Sequence, residues 1–456
     1  MSDQRVDPGI ADLLRISADG LCRLDRGVYA DPDLFAREIS SIWETVWVFL
    51  AHESQLPRPN DFFSTHVGRQ PVIVTRDQGG TIRAFLNACT HRGAKLSRTA
   101  KGNAKLLRCP YHGWVFTSAG ALLSVKDEAT GAYPPSFDKG QLGLTPLAKL
   151  ETYRGFIFGS LNPGAGSLKD YLGDAAVFID LLVDQSETGW EVLRGSCTYG
   201  YDGNWKLQAE NGVDSYHANT VHANYASTVQ NRLKSDAAGD KTRTMQLHHD
   251  PDEVSGGYFD LGHGHILIWR DWSNPQDRFN YADRGNIAAR MGEARMKWAV
   301  GRLRNVLIFP NLLLMDQMST QIRVIRPVEV DRTEIRSFAL APVGEAPEQR
   351  RKRLRAYEDF FNPSGMATPD DLSEFAASQQ GFAARATRWS DLSRGAAHQV
   401  AGGNRFSDEL GIHPRSSGTW VEDEGLYVGK YRNWVALMSA GGAAGGTGGT
   451  GEGGGA

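Results

Sequence analysis

The sequence contains no apolar run long enough to cross a membrane, and its first residues, MSDQRVDPGIADLL, include no apolar segment of the kind found in secretory signals. Its 50 Lys and Arg nearly balance its 53 Asp and Glu, so the net charge of -3 gives no strong field for nucleic acid or acidic membranes. Only 4 of the 456 residues are cysteine, which argues against a disulfide framework. We therefore expect a cytoplasmic globular protein whose cysteines serve metal binding or catalysis.

A second absence concerns redox cofactors. No Gly-rich fingerprint of a flavin or nicotinamide site follows a predicted strand and opens a helix. The C-terminal run AGGAAGGTGGTGEGGGA has G-x-G spacings without that context, and we expect 439–456 to be a disordered tail. If the chain performs redox chemistry, its electrons must come from a separate reductase.

Two of the cysteines are each followed closely by a histidine. These pairs are Cys89 with His91, in NACTHRGAKL, and Cys109 with His112, in LRCPYHGWVF. The flanking residues alternate and break like short antiparallel strands, so both pairs are predicted to lie on loops, where Gly93 and Gly113 let the backbone close. Cys22 and Cys197 have no such neighbours and are predicted to be buried small hydrophobic residues.

Two cysteines and two histidines suit either a tetrahedral zinc ion or a [2Fe–2S] cluster with both thiolates on one iron and both imidazoles on the other. Zinc modules are usually short and self-contained, whereas this set lies within a long stretch of predicted β-structure. The pattern C-x-H, 17 residues, then C-P-Y-H-G-W resembles the Rieske signature. A Cys89–Cys109 disulfide is the structural alternative, and a reducing compartment disfavours it.

A second cluster of candidate ligands lies in AENGVDSYHANTVH, which contains Asp214, His217 and His222. On a helix, Asp214 and His217 share a face because they are three residues apart. His217 and His222 are five apart and converge only through a widened, π-type turn. Either the histidines bind a metal, with Asp214 accepting the ring N–H that the metal leaves free, or all three are ordinary helical residues.

An oxygen-activating Fe(II) site needs two histidines and one carboxylate on one face of the metal. The stretch GMATPDDLSEF supplies Asp370 and Asp371 at the start of a helix that Thr368 and Pro369 predict. Asp371 also occupies the capping-box position, so capping the helix is its structural alternative.

The Cys/His set comes before the two-histidine motif along the chain. This order resembles that of the ring-hydroxylating oxygenases, the large subunits of aromatic-ring dioxygenases. Their motif NWK…EN..D.YH….H binds a mononuclear non-haem iron, and the matching positions here are Asn204-Trp205-Lys206, Glu210-Asn211, Asp214, Tyr216-His217 and His222. The chain is similar to benzoate, toluate and anthranilate 1,2-dioxygenase large subunits through LAHESQLPRPND, VDQSETGWEVLRGS, MATPDDL and EDEGLY, which span nearly its whole length.

This resemblance implies an α+β fold: a helical N-terminal arm (1–46), a β-rich Rieske [2Fe–2S] domain (47–160) and an α+β catalytic domain (161–438) whose antiparallel sheet is covered by helices. It implies one cluster on Cys89, His91, Cys109 and His112, and one Fe(II) on His217, His222 and the second acid of the pair, Asp371. Asp214 would link that iron to the cluster of a neighbouring subunit.

The implied function is that of a terminal oxygenase that cis-dihydroxylates benzoate or a substituted benzoate with O₂ and electrons from NADH. A separate reductase with FAD and a [2Fe–2S] cluster would deliver the electrons, and a small (beta) subunit would complete an alpha3beta3 assembly. Among enzymes, the alternatives are a 1,2-dioxygenase that acts on anthranilate or on 2-halobenzoates and a salicylate-type ring hydroxylase. A Rieske electron-transfer protein and a zinc-binding regulatory protein are the alternatives outside this reaction.

Several other features are predicted to be structural. The pairs His248-His249 and His263/His265 lie in strand-like sequence without an acid or cysteine at ligand spacing, so we expect pocket or surface residues. The basic run EQRRKRLR is expected to be a solvated helix face, and EARMKWAVGRLR an amphipathic helix. A buried substrate carboxylate needs a donor, and Arg323 in STQIRVIRP is one candidate.

Overall fold

The structure, a computed structural model, describes residues 8–234 and 255–444. In chain order its α-helices are α1 (Pro8–Ala11), α2 (Gly27–Ala30), α3 (Pro32–Glu38), α4 (Leu168–Leu172), α5 (Ala176–Val183), α6 (Trp205–Asn211), α7 (Ala218–Val221), α8 (Ala223–Lys234), α9 (Arg284–Met291), α10 (Glu293–Val300), α11 (Pro347–Ala356), α12 (Thr368–Gly381), α13 (Arg405–Asp408) and α14 (Gly425–Ala444).

The strands in the first half are β1 (Leu14–Ile16), β2 (Cys22–Asp25), β3 (Val48–His52), β4 (Asp61–Val67), β5 (Gln70–Arg76), β6 (Ile82–Leu86), β7 (Lys101–Asn103), β8 (Leu106–Arg108), β9 (Val115–Thr117), β10 (Leu122–Ser124), β11 (Lys149–Tyr153), β12 (Phe156–Ser160), β13 (Trp190–Val192) and β14 (Cys197–Tyr201). The remaining strands are β15 (Gly256–Gly262), β16 (His265–Asp271), β17 (Arg302–Ile308), β18 (Leu312–Asp316), β19 (Thr320–Glu329), β20 (Arg332–Pro342), β21 (Trp389–Asp391), β22 (Val400–Ala401) and β23 (Ser416–Gly418).

Helices and antiparallel sheets both contribute, and the predicted α+β class is confirmed. Residues 48–160 form small sheets with the orders β6-β5-β4-β7, β10-β9-β8 and β11-β12-β3. The second half is built on a ten-stranded sheet that runs β13-β20-β19-β18-β17-β16-β15-β23-β22, with β14 also paired to β20. Strands β15, β17 and β18 are buried along their whole length, which explains why NVLIFPNLLLMD is almost uninterruptedly apolar.

The ends of the chain differ in part from the expected helical arm and disordered tail. Residues 8–46 contain α1–α3 and a π-helical turn at Ile39–Trp43, but also β1 and β2, and β2 pairs with β21 of the second half. Helix α14 reaches Ala444 and so takes up the first six residues of the segment 439–456. The rest of that segment lies outside the described residues, as do His248 and His249.

The helix predicted for EARMKWAVGRLR is too long. Helix α10 ends at Val300, and β17 begins at Arg302. Between them, a Cβ on Gly301 would lie 2.9 Å from the Lys297 carbonyl oxygen, so this tight exit from the helix suits glycine alone. The basic run EQRRKRLR does form α11, but Arg353 is buried and pairs with Glu345 at 2.7 Å, so the helix is not solvated all round.

None of the helices in 8–234 and 255–444 combines the length and apolar character that crossing a bilayer requires. His265, one of the histidines predicted to be structural, is fully buried. It lies 2.8 Å from the Tyr171 carbonyl oxygen through Nε2 and accepts a hydrogen bond from the Phe309 amide at Nδ1.

A buried ion pair joins α3 to α6, the helix that precedes the two-histidine motif. Lys206 Nζ lies 2.6 Å from Glu38 Oε1, with both side chains at most 1% exposed. The other donors to the same carboxylate are the indole N–H groups of Trp205 and Trp434, at 2.8 and 2.7 Å. The carboxylate is therefore satisfied from three sides and anchors α6 to both ends of the chain.

Breaking this pair is expected to destabilise the fold strongly. Lys206→Met leaves the buried Glu38 carboxylate without its cation, which costs about 3–5 kcal/mol. We expect a clear fall in the thermal denaturation midpoint, measured by circular dichroism. The control is Lys352→Met, which removes the exposed pair with Glu348 and should change stability by less than about 1 kcal/mol. Equal shifts for both variants would contradict the anchoring role of Lys206.

Candidate metal centres

The two Cys/His loops of the first domain have matching backbone geometry. The Cys89 amide donates to the Ala94 carbonyl at 2.8 Å, and the Cys109 amide donates to the Trp114 carbonyl at 2.7 Å. In each loop a glycine four residues after the cysteine has positive φ, +73° at Gly93 and +75° at Gly113, and donates back to the cysteine carbonyl. Both predicted loops are therefore present, and these glycines permit a turn that other residues rarely adopt.

The loops bring the cysteines and histidines of the two pairs together. Cys89 and Cys109 are buried in the same hydrophobic cluster, and burial, with the neighbouring Cys109 thiol adding to it, raises the pKa of Cys89. The rings of His91 and His112 lie 4.6 Å apart between centroids. Among the described residues, His112 Nδ1 is shielded from solvent and has no hydrogen-bond partner. A shielded ring nitrogen without a hydrogen-bond partner suits metal coordination.

The spread of these four side chains argues against a single zinc ion. A tetrahedral zinc needs all its ligand atoms within a few ångströms of one another. Within 8–234 and 255–444, one group of three or more His, Cys, Asp or Glu has ligand atoms that all lie within 4.8 Å of one another. Its members are His217, His222 and Asp371, so it contains none of these Cys/His residues. The Cys/His set is wider, as a cluster with two irons requires.

That second group forms the other centre. Asp371 Oδ1 lies 3.5 Å from His217 Nε2 and 3.4 Å from His222 Nε2. Two imidazole nitrogens and one carboxylate oxygen are the donor set of a facial Fe(II) site, and these separations allow all three to bind one ion. The chain thus brings together the three residues that the sequence singled out, from two segments about 150 positions apart.

The path of the chain through this site corrects two predictions. The π-type turn between His217 and His222 is wrong, because the short helix α7 lies between them, and His217 and His222 are its flanking residues. The shared helical face is also wrong, because α6 ends at Asn211 and Asp214 lies beyond it, outside any helix. Asp214 still reaches His217: its Oδ1 accepts from the Tyr216 amide at 2.7 Å, which directs Oδ2 to His217 Nδ1 at 2.8 Å.

The structure also separates the neighbouring acids at the start of α12. The N-terminus of this helix has no side-chain cap, so Asp371 does not act as one. Asp371 is buried and its Oδ1 accepts a hydrogen bond from Asn211 at 3.1 Å. Asp370, one residue earlier, is half-buried and is not part of the three-residue group.

The electrostatics of the group favour metal binding. Burial raises the pKa of Asp371 to about 6, against the opposing effects of His217 and Arg323. Burial, with help from His217, lowers the pKa of His222 to about 3, so its ring is neutral at neutral pH and free to act as a ligand. For His217, burial lowers the pKa but the hydrogen bond to Asp214 outweighs it, and the net shift is upward. A cation shared by all three side chains would lower the free-energy cost of burying these groups.

A cleft of about 810 Å³, counting its part open to solvent, borders the group. This is the size of an ordinary small-molecule site. Its lining joins the three candidate ligands to apolar side chains of the large sheet and of the π-helical turn at Tyr357–Phe361, among them Phe360, whose ring lies 5.5 Å from that of His222. A larger cleft of about 1870 Å³ lies against Arg58 and Arg350 and has no histidine or cysteine in its lining.

Asn211 is part of the motif, but the sequence predicts no role for it. Its Nδ2 lies 3.2 Å from His217 Nε2 and 3.1 Å from Asp371 Oδ1, so it bridges the candidate ligands. Its place next to Glu210 in the motif was the available signal. Arg323, the candidate partner of a substrate carboxylate, does border the cleft, but its guanidinium donates to Gln208, Phe361 and Thr368.

Comparison with known families gives two matches in the order of the two centres. The family Rieske [2Fe–2S] domain matches residues 46–146, and the family ring hydroxylating alpha subunit (catalytic domain) matches residues 189–409. Toluate 1,2-dioxygenase subunit alpha of Pseudomonas putida is 48% identical over 92% of this chain and 92% of its own length. The 2-halobenzoate 1,2-dioxygenase large subunit of Burkholderia cepacia is 45% identical over 93% and 91%. The anthranilate 1,2-dioxygenase large subunit of Acinetobacter baylyi is 46% identical over 92% and 90%.

Solved structures agree with these matches. Naphthalene 1,2-dioxygenase with indole bound in the active site superposes with a TM-score of 0.79 at 29% identity, over 93% of this chain and 94% of that one. The naphthalene 1,2-dioxygenase from Rhodococcus sp. bound to indole gives 0.78 at 28%, over 92% and 94%. Similarity therefore extends over both domains in sequence and in structure.

Proposed function

This chain belongs to the ring-hydroxylating oxygenase alpha subunits, and from that membership we propose that it is the terminal oxygenase that cis-dihydroxylates an aromatic carboxylate. It is a Rieske-type aromatic-ring dioxygenase that uses a Rieske [2Fe–2S] cluster and a mononuclear iron. The resemblance read from the sequence, the enzyme class and both cofactors are thereby confirmed. The residue assignments, the domain bounds and the cytoplasmic location remain predictions.

For the cluster we assign Cys89, His91, Cys109 and His112. The matching loops, the adjacent thiols and the unsatisfied His112 Nδ1 support this set. For the iron we assign His217, His222 and Asp371, supported by ligand atoms that all lie within 4.8 Å of one another. When bound, the iron supplies open coordination positions for activating dioxygen beside the ring.

The chain's own residues set the conditions for that chemistry. Asp214 holds His217 in the tautomer that leaves Nε2 free for the metal. Asn211 donates to the carboxylate of Asp371 and fixes its orientation. The apolar walls of the cleft bind the ring and exclude water from it. The balanced reaction consumes the aromatic acid, one O₂, a pair of electrons and a pair of protons, and yields a cis-dihydrodiol carboxylate.

The substrate proposal is benzoate or a substituted benzoate. It rests on the relatives, which are named for toluate, 2-halobenzoate and anthranilate and share 45–48% identity with this chain. A separate dehydrogenase would convert the product to a catechol. Anthranilate and 2-halobenzoates are the alternative acids, and they differ from benzoate by an amine or a halide on the ring.

The chain is the large oxygenase component of a multicomponent system and corresponds to the alpha or large subunits for which its relatives are named. We further propose a small (beta) subunit in an alpha3beta3 assembly and a reductase that carries electrons from NADH through FAD and its own [2Fe–2S] cluster. The absence of a dinucleotide fingerprint in the sequence supports the need for a separate reductase.

The proposal is tested by turnover with isotopic oxygen. We expect the holoenzyme with its reductase and NADH to convert benzoate, toluates, anthranilate or 2-halobenzoate with both ¹⁸O atoms of one labelled O₂ in the ring product, read by mass spectrometry. Incorporation of a single oxygen atom would reject dihydroxylation in favour of monohydroxylation. The enzyme should contain about three irons per chain and be reddish brown. A colourless zinc protein, or about two irons per chain without turnover, would contradict the proposal.

A further inference from the structure

The floor of the active-site cleft is one face of the large sheet. Six strand residues on this face border the cleft: Ile268 and Arg270 on β16, Leu303 and Asn305 on β17, Met315 on β18 and Arg323 on β19. Strand register places them side by side, with Arg270 opposite Leu303, Ile268 opposite Asn305, and Asn305 opposite Met315. Because successive residues alternate between faces, these side chains all point towards the metal-binding helices.

The two arginines of this floor differ in their hydrogen-bond partners. Arg323 is 2% exposed and its terminal nitrogens donate to Gln208 at 3.3 Å, to Thr368 at 2.8 Å and to the Phe361 carbonyl at 3.3 Å. Its Nε is shielded from solvent and has no partner among the described residues. Both terminal nitrogens of the Arg323 fork therefore already donate to protein groups, whereas Nε does not.

Arg270 has none of these contacts. Its side chain is half-buried, and within residues 8–234 and 255–444 its guanidinium makes no hydrogen bond and no ion pair. Burial lowers the pKa of Arg270 to about 10, partly offset by Glu422, so the group is still charged at neutral pH. Glu422 itself is held by Arg394 at 3.0 Å. A half-buried cation in a cleft, with its whole fork free, is a binding group without its partner.

We propose that Arg270 binds the carboxylate of the aromatic acid and thereby makes the site specific for acids. The inference rests on the proposed function and names the residue that recognises its substrate class. A guanidinium offers parallel N–H groups to both oxygens of a carboxylate, whereas a neutral arene offers no acceptor of that geometry. The ring then rests on the apolar part of the floor, formed by Ile268, Leu303 and Met315.

Anchoring the carboxylate also fixes which ring carbons face the metal. A ring held only by apolar contacts can turn in its plane, because such contacts are not directional. A ring held through its carboxylate cannot. Loss of the anchor should therefore change the distribution of products as well as the affinity.

The test compares Arg270→Gln with the unmodified holoenzyme. We expect unchanged cluster absorbance and iron content, a KM for benzoate raised about thirtyfold, and a kcat that falls much less. Equilibrium dialysis with labelled benzoate should show the same loss of binding without turnover. Activity on the neutral analogue benzamide should be retained, and diol products oxidised at other ring positions should increase. Arg270→Lys should restore part of the affinity because it keeps the charge.

The matched control is Arg326→Gln. Arg326 is on β19, like Arg323, but belongs to the opposite sheet face and borders a different cavity, so its replacement should leave the KM for benzoate unchanged. An unchanged KM and dialysis constant in Arg270→Gln would overturn the proposal, and so would loss of acid binding in Arg323→Gln alone with both metals present. An unmodified enzyme that oxidises neutral arenes but binds no aromatic acid would overturn the proposed substrate class and this inference with it.

Discussion

Replacing Asp371 with alanine is expected to remove the mononuclear iron and to reduce turnover at least a thousandfold, about 4 kcal/mol of transition-state stabilisation. The cluster colour should persist. Asp371 is the one carboxylate in the three-residue group, and two neutral imidazoles alone do not offset the charge of a divalent ion. Iron analysis, the visible spectrum and oxygen uptake with benzoate measure the three effects.

Asp370→Ala is the matched control for this substitution. It removes the same side chain one position earlier on α12, where the carboxylate does not reach the histidines, so iron content and turnover should stay close to those of the unmodified enzyme. Cys109→Ser should show the reverse pattern, bleaching the cluster while the iron site still binds metal. Full activity in Asp371→Ala together with loss in Asp370→Ala would reassign the third ligand.

The sequence alone could not decide between those neighbouring acids from local rules. A capping carboxylate and a ligating carboxylate occupy the same position at a helix start, so spacing favours both roles for Asp371 equally. The decision comes from packing, because α12 lies against α6 and α7 and places Asp371, not Asp370, over the histidines. Family resemblance pointed to the same residue by analogy.

Other parts of the site followed from local chemistry. The Cys/His loops were predictable because a cysteine, a nearby histidine and a glycine four residues after the cysteine define a tight turn around a metal group, and the structure has that turn at both Cys89 and Cys109. The strands around them followed from alternation and turn residues. These signals are contained within about ten residues, and no distant part of the chain alters them.

The failures share a cause. Asp214 and His217 do meet, but through a turn in which Asp214 accepts from the Tyr216 amide, and helical spacing was the wrong reason for a correct contact. Arg270 could not be identified from sequence, because a free guanidinium is recognisable only once strand register shows which residues face the cleft and which partners they lack. Register between strands depends on the whole sheet and is not written in any single segment.

Asp214→Asn is expected to keep both metals and to slow electron transfer from the reduced cluster about a thousandfold. Asp214 uses one carboxylate oxygen for the Tyr216 amide and the other for His217 Nδ1. Asparagine has a single oxygen, so it cannot accept at both places, and the orientation of His217 loosens. In the proposed trimer of large subunits, the same carboxylate would lie between His217 and His112 of the neighbouring subunit, a short hydrogen-bonded path for the electron.

The measurement is single-turnover oxidation of the reduced cluster with benzoate and oxygen, followed by its absorbance. Asp202→Asn is the control. Because Asp202 is an exposed acid just before α6, the reduced cluster of this variant should be oxidised at the unmodified rate. A merely structural role of Asp214 would lower iron content or stability in proportion to the rate, whereas a bridging role slows the oxidation with both metals in place. Oxidation of Asp214→Asn at the unmodified rate, or full activity in a verified monomer, would contradict the bridge between subunits.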